Sequence, residues 1–179
     1  MSTKAILDAA AIDRTLSRMA HEILEHSPQG IPLGFIGIHS RGYPLAVRLA
    51  GLTHKIDPER PVLPVGQLDI SFHRDDFEKV RPVPKLTHIP FDIDKEYIIL
   101  VDDVLYTGRS VRAALNALVD HGRAHTVRLA VLADRGHRQL PIRADYVGKN
   151  LPTATGEEVV LRLRECDGVD ELVVQGGAA

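Results

Sequence analysis

The sequence predicts an α/β fold with a mostly parallel central sheet, and three observations support this class. Short apolar runs rich in β-branched residues alternate with longer stretches whose apolar residues recur at helical spacing. Such alternation of strands and helices is typical of parallel sheets. A chain of 179 residues, 44% of them hydrophobic, is long enough for a sizeable core. No internal repeat or long linker divides the sequence, so residues 1–179 are expected to form a single domain.

The first predicted elements are a helix, a strand and a second helix. Asp8 can cap a helix that continues to about residue 26. The apolar face of this helix is expected to consist of Ile12, Leu16, Met19, Ala20 and Ile23. The apolar run at 33–38 predicts a core strand, which ends in a tight loop at 39–42. An apolar helix is expected to follow from about residue 44 to residue 52.

The rest of the chain continues the alternation. Further strands are expected at residues 62–70, 97–101, 126–133 and 144–148. Helical spacing from Val111 onward predicts a helix with Gly122 at its C-cap. Apolar and polar residues alternate at 158–164, which predicts a half-exposed strand, and 171–174 predicts an edge strand. The long proline-spaced stretch at about 71–90 is expected to be a flexible loop, because loops of this length in compact domains are usually lids or disordered.

Composition excludes several classes of protein. The net charge of −2 gives no global field to attract nucleic acid, so RNA binding would need a local basic patch. The single cysteine, Cys166, excludes an internal disulfide and a cysteine-cluster metal site. The first ten residues lack the basic start and apolar core of a signal peptide, and no apolar run approaches the roughly 20 residues of a membrane helix. We therefore expect a cytoplasmic protein without a membrane partner.

The most specific chemistry is carried by the sequence YIILVDDVLYTGRS. An apolar strand leads directly into Asp102 and Asp103, and a loop with Thr107, Gly108 and Ser110 then opens a helix. Backbone N–H groups at the start of a helix lack acceptors inside it, so they can bind a phosphate. Paired carboxylates suit the vicinal hydroxyls of a ribose, and a divalent cation could share the site. This order indicates a sugar-phosphate site; the alternative is a capped helix after a buried strand, with solvated carboxylates.

Two segments resemble the signatures of a known family. VDDVLYTGRS resembles the phosphoribosyl-pyrophosphate signature of type I phosphoribosyltransferases, and is closer still to that of the bifunctional pyrimidine-operon attenuation regulators that are also uracil phosphoribosyltransferases. DRGHRQLPIRADYVGKN, at residues 134–150, resembles a second signature of the same family. The resemblance extends from about Ala11 to the final strand. It implies a type I phosphoribosyltransferase-like fold, with a small hood over the base site at about 134–152 plus the C-terminal strands, and a flexible lid.

The resemblance also implies the roles of individual residues in catalysis. Asp102 and Asp103 would hold the ribose hydroxyls and offset developing positive charge, while Arg41 would contact the pyrophosphate. Mg2+ would arrive mainly with phosphoribosyl pyrophosphate, because the nine histidines are scattered and no metal cage is expected. The implied substrate-binding residues are Ser40, Arg41, Arg74, Arg81, Asp102, Asp103, Val104, Leu105, Tyr106, Thr107, Gly108, Arg109, Ser110, Arg135 and Val159.

A local basic patch within the second signature would suit RNA. Four possible cations lie within thirteen positions of this otherwise near-neutral chain, between His137 and Lys149. The candidate RNA-binding residues are Ser17, His21, His39, His137, Arg138, Arg143 and Lys149. The resemblance implies the roles of Ser17 and His21, whereas the alternative for the basic patch is a set of solvated surface charges. His26 and His39 stand where arginine and lysine often occur in the family. Neutral imidazoles release fewer counterions than fixed cations, which predicts a lower or pH-dependent RNA affinity.

Two functions of different classes follow from the resemblance. The first is transfer of a phosphoribosyl group to uracil, which gives UMP and pyrophosphate. The second is UMP-dependent binding of a pyrimidine leader mRNA, which attenuates transcription. The alternatives are a uracil phosphoribosyltransferase with little or no RNA-binding role and, disfavoured by the second signature, a purine phosphoribosyltransferase. The resemblance alone implies a homo-oligomer, either a dimer or larger.

Overall fold

The computed structural model describes residues 3–71 and 86–176, which form a sheet-based α/β fold. In chain order its elements are β1 (Thr3–Leu7), α1 (Ala9–His26), β2 (Leu33–Ile38), α2 (Gly42–Ile56), β3 (Val65–Leu68), β4 (Tyr97–Leu105), α3 (Arg109–Val119), β5 (Thr126–Asp134), β6 (Tyr146–Asn150), β7 (Glu157–Arg162), α4 (Arg164–Asp167) and β8 (Glu171–Gly176). Most of the expected lid, including Arg74 and Arg81, lies outside the described residues. No helix within the two described ranges is long and apolar enough to cross a membrane.

The central sheet confirms the predicted parallel arrangement. Its five strands are all parallel and lie in the order β3-β2-β4-β5-β6. In register, Ile36 of β2 lies opposite Leu100 of β4, which lies opposite Leu129 of β5. The carboxyl ends of parallel strands meet at one edge of a sheet. The loops that follow β2, β4 and β5 are therefore neighbours at that edge.

Helices cover both faces of the central sheet and create two hydrophobic cores. α1 and α2 pack on one face, together with residues of β7 and β8, and α3 packs on the other. β4 serves both cores, because Ile99 belongs to the first and Ile98 and Leu100 belong to the second. A strand buried on both faces has a continuous apolar sequence, which explains the unbroken run at the start of β4.

A smaller antiparallel sheet in the order β1-β8-β7 lies against the first core. Thr3 pairs with Gln175, and Val159 pairs with Val174. The predicted alternation at 158–164 is confirmed, because Val159, Leu161 and Leu163 are buried. The sequence did not predict β1 or α4. Both are short, and the four residues of α4 are too few to show helical periodicity.

Several predicted boundaries differ from the structure; β3, for example, covers only Val65–Leu68 of the strand predicted at 62–70. β4 does not stop at residue 101 but continues through the two aspartates, since Asp102 pairs with Val131 of β5. α2 begins at Gly42, so Pro44 falls in the first turn, where its missing N–H breaks no helical hydrogen bond. α3 ends at Val119, and its C-cap is Asp120 rather than Gly122.

Candidate functional site

The acidic pair, the helix-opening loop and Arg41 meet at the carboxyl edge of the central sheet. Asp102 and Asp103 lie near the end of β4, and the loop at 39–42 follows the neighbouring strand β2. A Cβ atom on Gly42 would lie 2.4 Å from the carbonyl oxygen of Val101, so only glycine allows α2 to approach β4 so closely. This approach brings Arg41 beside the acidic pair.

The two carboxylates are held by main-chain hydrogen bonds. Asp102 is buried, and its Oδ1 accepts a hydrogen bond of 2.9 Å from the N–H of Asp103. Asp103 is half-buried, and its Oδ1 accepts one of 2.7 Å from the N–H of Val104. An ionised carboxylate has about four acceptor positions. Asp103 therefore keeps acceptor capacity for a hydroxyl group or a cation.

The loop before α3 has the backbone of an anion-binding turn. Gly108 is the N-cap of α3 and has a φ of 92°, in the left-handed region that favours glycine. Thr107 Oγ1 lies 3.4 Å from the N–H of Arg109, and Ser110 occupies the first helical turn. The first N–H groups of any helix lack acceptors inside it and carry the positive end of the dipole. A phosphate group would be stabilised at this position.

Arg41 forms a bidentate ion pair with Asp167 of α4. Its Nε donates to Oδ2 at 3.1 Å, and its Nη2 donates to Oδ1 at 2.8 Å. The hydrogen bond with Asp167 raises the pKa of Arg41, with a smaller contribution from the charge of Asp103. The same hydrogen bond lowers the pKa of Asp167. Sequence reasoning missed Asp167, because no local pattern connects this short helix to residue 41.

A second arginine of α2 binds the region of α4 in the same way. Arg48 donates to Glu165 through Nε at 2.8 Å and through Nη2 at 2.6 Å, and Nη2 also donates to Asp170 at 2.7 Å. The hydrogen bond with Glu165, followed by that with Asp170, raises the pKa of Arg48. Two arginines spaced two turns apart therefore fix α4 to α2.

Tyr106 lies in a stack with two side chains of the second signature. The guanidinium carbon of Arg135 is 4.1 Å from the centre of the Tyr106 ring, and the His137 ring meets that ring edge-on at 5.9 Å. Arg135 is buried and donates hydrogen bonds to oxygen atoms of Thr153, Ala154 and Glu157. The stack joins the loop after β4 to the connection between β6 and β7, within the predicted hood.

Arg138 is half-buried, and its guanidinium is bonded within the protein. It donates to the carbonyl oxygens of Tyr106 at 2.7 Å, Gly136 at 3.2 Å and Ile142 at 2.9 Å, and to the carboxylate of Asp134. Burial alone would raise the pKa of Asp134, but the bonds from Arg138 and from the N–H of Gly136 hold it below its usual value. These bonds use most of the donors that Arg138 could offer to RNA.

The other predicted RNA-binding residues surround β6. Arg143 and Lys149 are exposed, and Arg143 lines a depression of about 510 Å³ with Asn150. Ser17 and His21 lie on α1, which is joined to β6 because Arg18 Nη2 donates to the carbonyl oxygen of Gly148 at 2.5 Å. His137 is exposed, and its Nε2 lies 2.6 Å from the carbonyl oxygen of Thr153.

His39 lies apart from this group. It follows β2, and β4 and β5 separate β2 from β6, a distance of about 14 Å at the usual strand spacing. Its Nε2 is buried and has no hydrogen-bond partner in the described chain. Both observations argue against the prediction that His39 contacts RNA.

Three predicted substrate contacts lie in or against the cores. Leu105 is buried in the second core, and its carbonyl oxygen accepts a hydrogen bond from the N–H of Arg135. Val159 is buried in the first core, against which Val104 packs. Any contact of Leu105 with a ligand would therefore come from its main chain.

The acidic pair could hold a Mg2+ ion together with other ligands. Within residues 3–71 and 86–176, no group of three or more His, Cys, Asp and Glu side chains could hold a metal ion. Mg2+ is usually bound by one or two carboxylates together with substrate phosphates and water. Asp102 and Asp103 supply that number of carboxylates at the edge where a phosphate would bind.

Comparisons with known proteins agree with this geometry. A family model described as "Phosphoribosyl transferase domain" matches residues 2–163. The "Bifunctional protein PyrR" of Deinococcus deserti is 54% identical over 93% of this chain and 91% of its own length; that of Chloroflexus aurantiacus is 52% identical over 98% and 97%. A solved hypoxanthine phosphoribosyltransferase of Trypanosoma cruzi has a TM-score of 0.72 at 17% identity, covering 98% of this chain and 97% of the other. At that identity the solved structure shows a shared fold.

Proposed function

Because this chain belongs to the phosphoribosyltransferase domain family, we propose that it transfers a phosphoribosyl group to uracil and also binds pyrimidine leader mRNA in a UMP-dependent way. The observation that carries the transferase role is the meeting of Asp102, Asp103, Arg41 and the loop before α3 at one sheet edge. Its relatives are named bifunctional, which supports two roles in one protein.

The transfer reaction divides the substrate among these groups. Asp102 and Asp103 accept hydrogen bonds from the ribose hydroxyls, and residues 107–110 hold the 5-phosphate through N–H and hydroxyl donors. The bond from the anomeric carbon to pyrophosphate breaks, a bond to N1 of uracil forms, and the N1 proton is released. Positive charge develops on the sugar during this exchange, and the fixed carboxylates stabilise it. Asp102 and Asp103 would hold a Mg2+ ion, which would offset the charge of the leaving group.

The remaining parts of the site bind the pyrophosphate and the base. Ser40 and Arg41 lie in the loop that would contact the pyrophosphate. The guanidinium of Arg41 binds a pyrophosphate oxygen, because its charge is fixed and Asp167 occupies only one edge of its fork. The stack of Arg135 on Tyr106 forms the base side of the site, beneath residues 153–157. A covered site excludes water, which would otherwise compete with uracil for the ribosyl group.

A double substitution of the acidic pair tests the transferase role. In Asp102→Asn with Asp103→Asn, two charge-assisted contacts are lost, each worth roughly 1.5–3 kcal/mol. UMP formation from uracil and phosphoribosyl pyrophosphate should fall at least about a hundredfold. Asp13→Asn makes the same chemical change on the exposed face of α1 and should have no effect. Activity of the double variant within a few-fold of wild type would refute the ribose role.

The RNA role rests on the cations and polar residues around β6. Arg143, Lys149 and His137, with Ser17 and His21 of α1, offer a local patch on a chain of net charge −2. Filter binding with a pyrimidine leader transcript at fixed salt should show tighter binding when UMP is present, and affinity should fall as salt rises. If UMP forms but RNA does not bind in either condition, the protein is a uracil phosphoribosyltransferase alone.

A further inference from the structure

Hydrogen bonds join the loop after β4 to the segment after β5, and we propose that Arg138 is the positioning residue that couples UMP binding to RNA binding. This inference rests on the proposed function, because it requires that the protein bind both ligands. It differs from the sequence-based prediction, in which Arg138 is itself an RNA contact. The structure gives two observations in its favour.

The first observation is a set of main-chain bonds on either side of Tyr106. The N–H of Arg135 donates to the carbonyl oxygen of Leu105 at 3.0 Å. The N–H groups of Gln139 and Leu140 both donate to the carbonyl oxygen of Thr107, at 3.0 and 3.2 Å. The segment at 135–140 is therefore attached to the end of β4 at its start and to the loop before α3 at its end.

The second observation is the position of the Arg138 side chain between these attachments. Its Nη1 donates to the carbonyl oxygen of Tyr106, while its other nitrogens reach Ile142 and Asp134. The backbone beside it turns through Gly136 and His137, with φ values of 78° and 59°. Positive φ is unfavourable for a residue other than glycine, so this turn needs support from its surroundings. The bonds of Arg138 supply that support.

The attached segment carries or adjoins residues proposed for RNA binding. His137 lies inside it, and Arg143 follows it and lines the same depression as Arg138. The loop on the other side of the bonds holds the 5-phosphate of UMP in the proposed function. A phosphate that orders residues 107–110 would therefore also order the turn at His137 and the start of the basic patch. Without the bonds of Arg138, only the main-chain bonds at the two ends of the segment would join these regions, and the turn between them would lose its support.

Coupling of this kind is measured as a ratio of affinities. The coupling factor is the Kd for RNA without UMP divided by the Kd for RNA with UMP, and the reciprocal measurement with UMP must give the same value. Couplings between sites are typically about 5- to 150-fold. A residue that only touches RNA changes both Kd values equally and leaves the factor unaltered. A positioning residue changes the factor itself.

The decisive variant is Arg138→Lys. It keeps the positive charge but loses the planar guanidinium, whose several N–H donors bond different acceptors at the same time. We expect its coupling factor to fall at least fivefold, towards one, while the salt dependence of RNA binding stays as in wild type. The matched control is Arg143→Ala, which removes an exposed cation from the same depression. That variant should weaken RNA binding equally with and without UMP and lower the salt slope by about one.

A milder variant guards against loss of folding. Gln139 is exposed, and its Oε1 accepts a hydrogen bond of 3.0 Å from Arg109 Nε, across the same boundary. Gln139→Ala should fold and show a smaller reduction of the coupling factor. The proposal is overturned if Arg138→Lys weakens RNA binding equally in both conditions, or if Gln139→Ala keeps the wild-type factor when Arg138→Lys does not fold. A wild-type protein whose RNA binding ignores UMP would instead refute the regulatory half of the proposed function.

Discussion

Replacing Asp167 should weaken the binding of phosphoribosyl pyrophosphate without stopping the chemistry. Asp167 accepts two hydrogen bonds along one edge of the Arg41 guanidinium. Asp103 adds to the raised pKa of Arg41, which places the guanidinium near the acidic pair. In the proposed function, this ion pair would orient Arg41 towards the pyrophosphate. In Asp167→Asn the charge is lost, while one oxygen remains for the N–H of Leu163, which Asp167 also binds.

The size of the effect follows from the exposure and geometry of the pair. The side chains of Arg41 and Asp167 are 32% and 21% exposed, so water partly screens their attraction. Exposed ion pairs contribute roughly 0.2–1 kcal/mol, and bidentate geometry favours the upper end of that range. If the loss of this ion pair weakens binding by about 1 kcal/mol, KM for phosphoribosyl pyrophosphate rises about fivefold. The value of kcat should change less than twofold.

Steady-state kinetics with varied phosphoribosyl pyrophosphate would measure this effect. Glu165→Gln is the matched control, because it removes the analogous contact of Arg48 on the same helix and leaves Arg41 untouched. Both variants should lower the melting temperature slightly, but only Asp167→Asn should raise KM. A lower KM in Asp167→Asn would mean that Asp167 competes with pyrophosphate for Arg41. An unchanged KM would remove Asp167 from the site altogether.

Two further predictions concern pH and packing. Burial, helped by the charge of Asp92, raises the pKa of Glu96; the protonated form therefore favours folding, and this contribution is lost as pH rises through the folded-state pKa. Glu96→Gln should raise the melting temperature at pH 7 and change it little at pH 4, and equal shifts at both pH values would contradict this account. Gly42→Ala would place a Cβ 2.4 Å from the carbonyl oxygen of Val101, and overpacking of this kind costs about 1–3 kcal/mol. Its melting temperature should fall and its KM for phosphoribosyl pyrophosphate should rise, whereas wild-type values for both would show that α2 tolerates the shift.

Much of the fold could be predicted because local patterns determine it. Asp8 caps α1 as expected, and its side chain accepts a hydrogen bond of 2.8 Å from the N–H of Ala11. All five apolar residues predicted for α1 are buried. The end of β4 could not be predicted in the same way. Carboxylates usually mark the end of a buried strand, but here pairing with β5 continues past Asp102 to Leu105.

The candidate site was predictable where its residues are close in sequence. The acidic pair and Gly108 belong to one motif, so their proximity follows from the strand and the helix that flank them. The partner of Arg41 lies 126 positions away, and no periodicity reports such a contact. The same reason explains Arg138. Its basic side chain predicted a surface contact, whereas long-range hydrogen bonds to the loop after β4 turn it inward.

β1 can pair only late in translation, because its partner strand is β8. Thr3 lies opposite Gln175, so a strand made among the first residues acquires its partner only when almost all of the described chain has been translated. At about 5–20 residues per second, that interval is roughly 10–30 s. During this time the apolar face of α1 lacks the cover that Leu172 and Val174 later provide. A ribosome that stalls before β8 would therefore leave that part of the α1 face uncovered, and exposed apolar surface makes a nascent chain prone to aggregation.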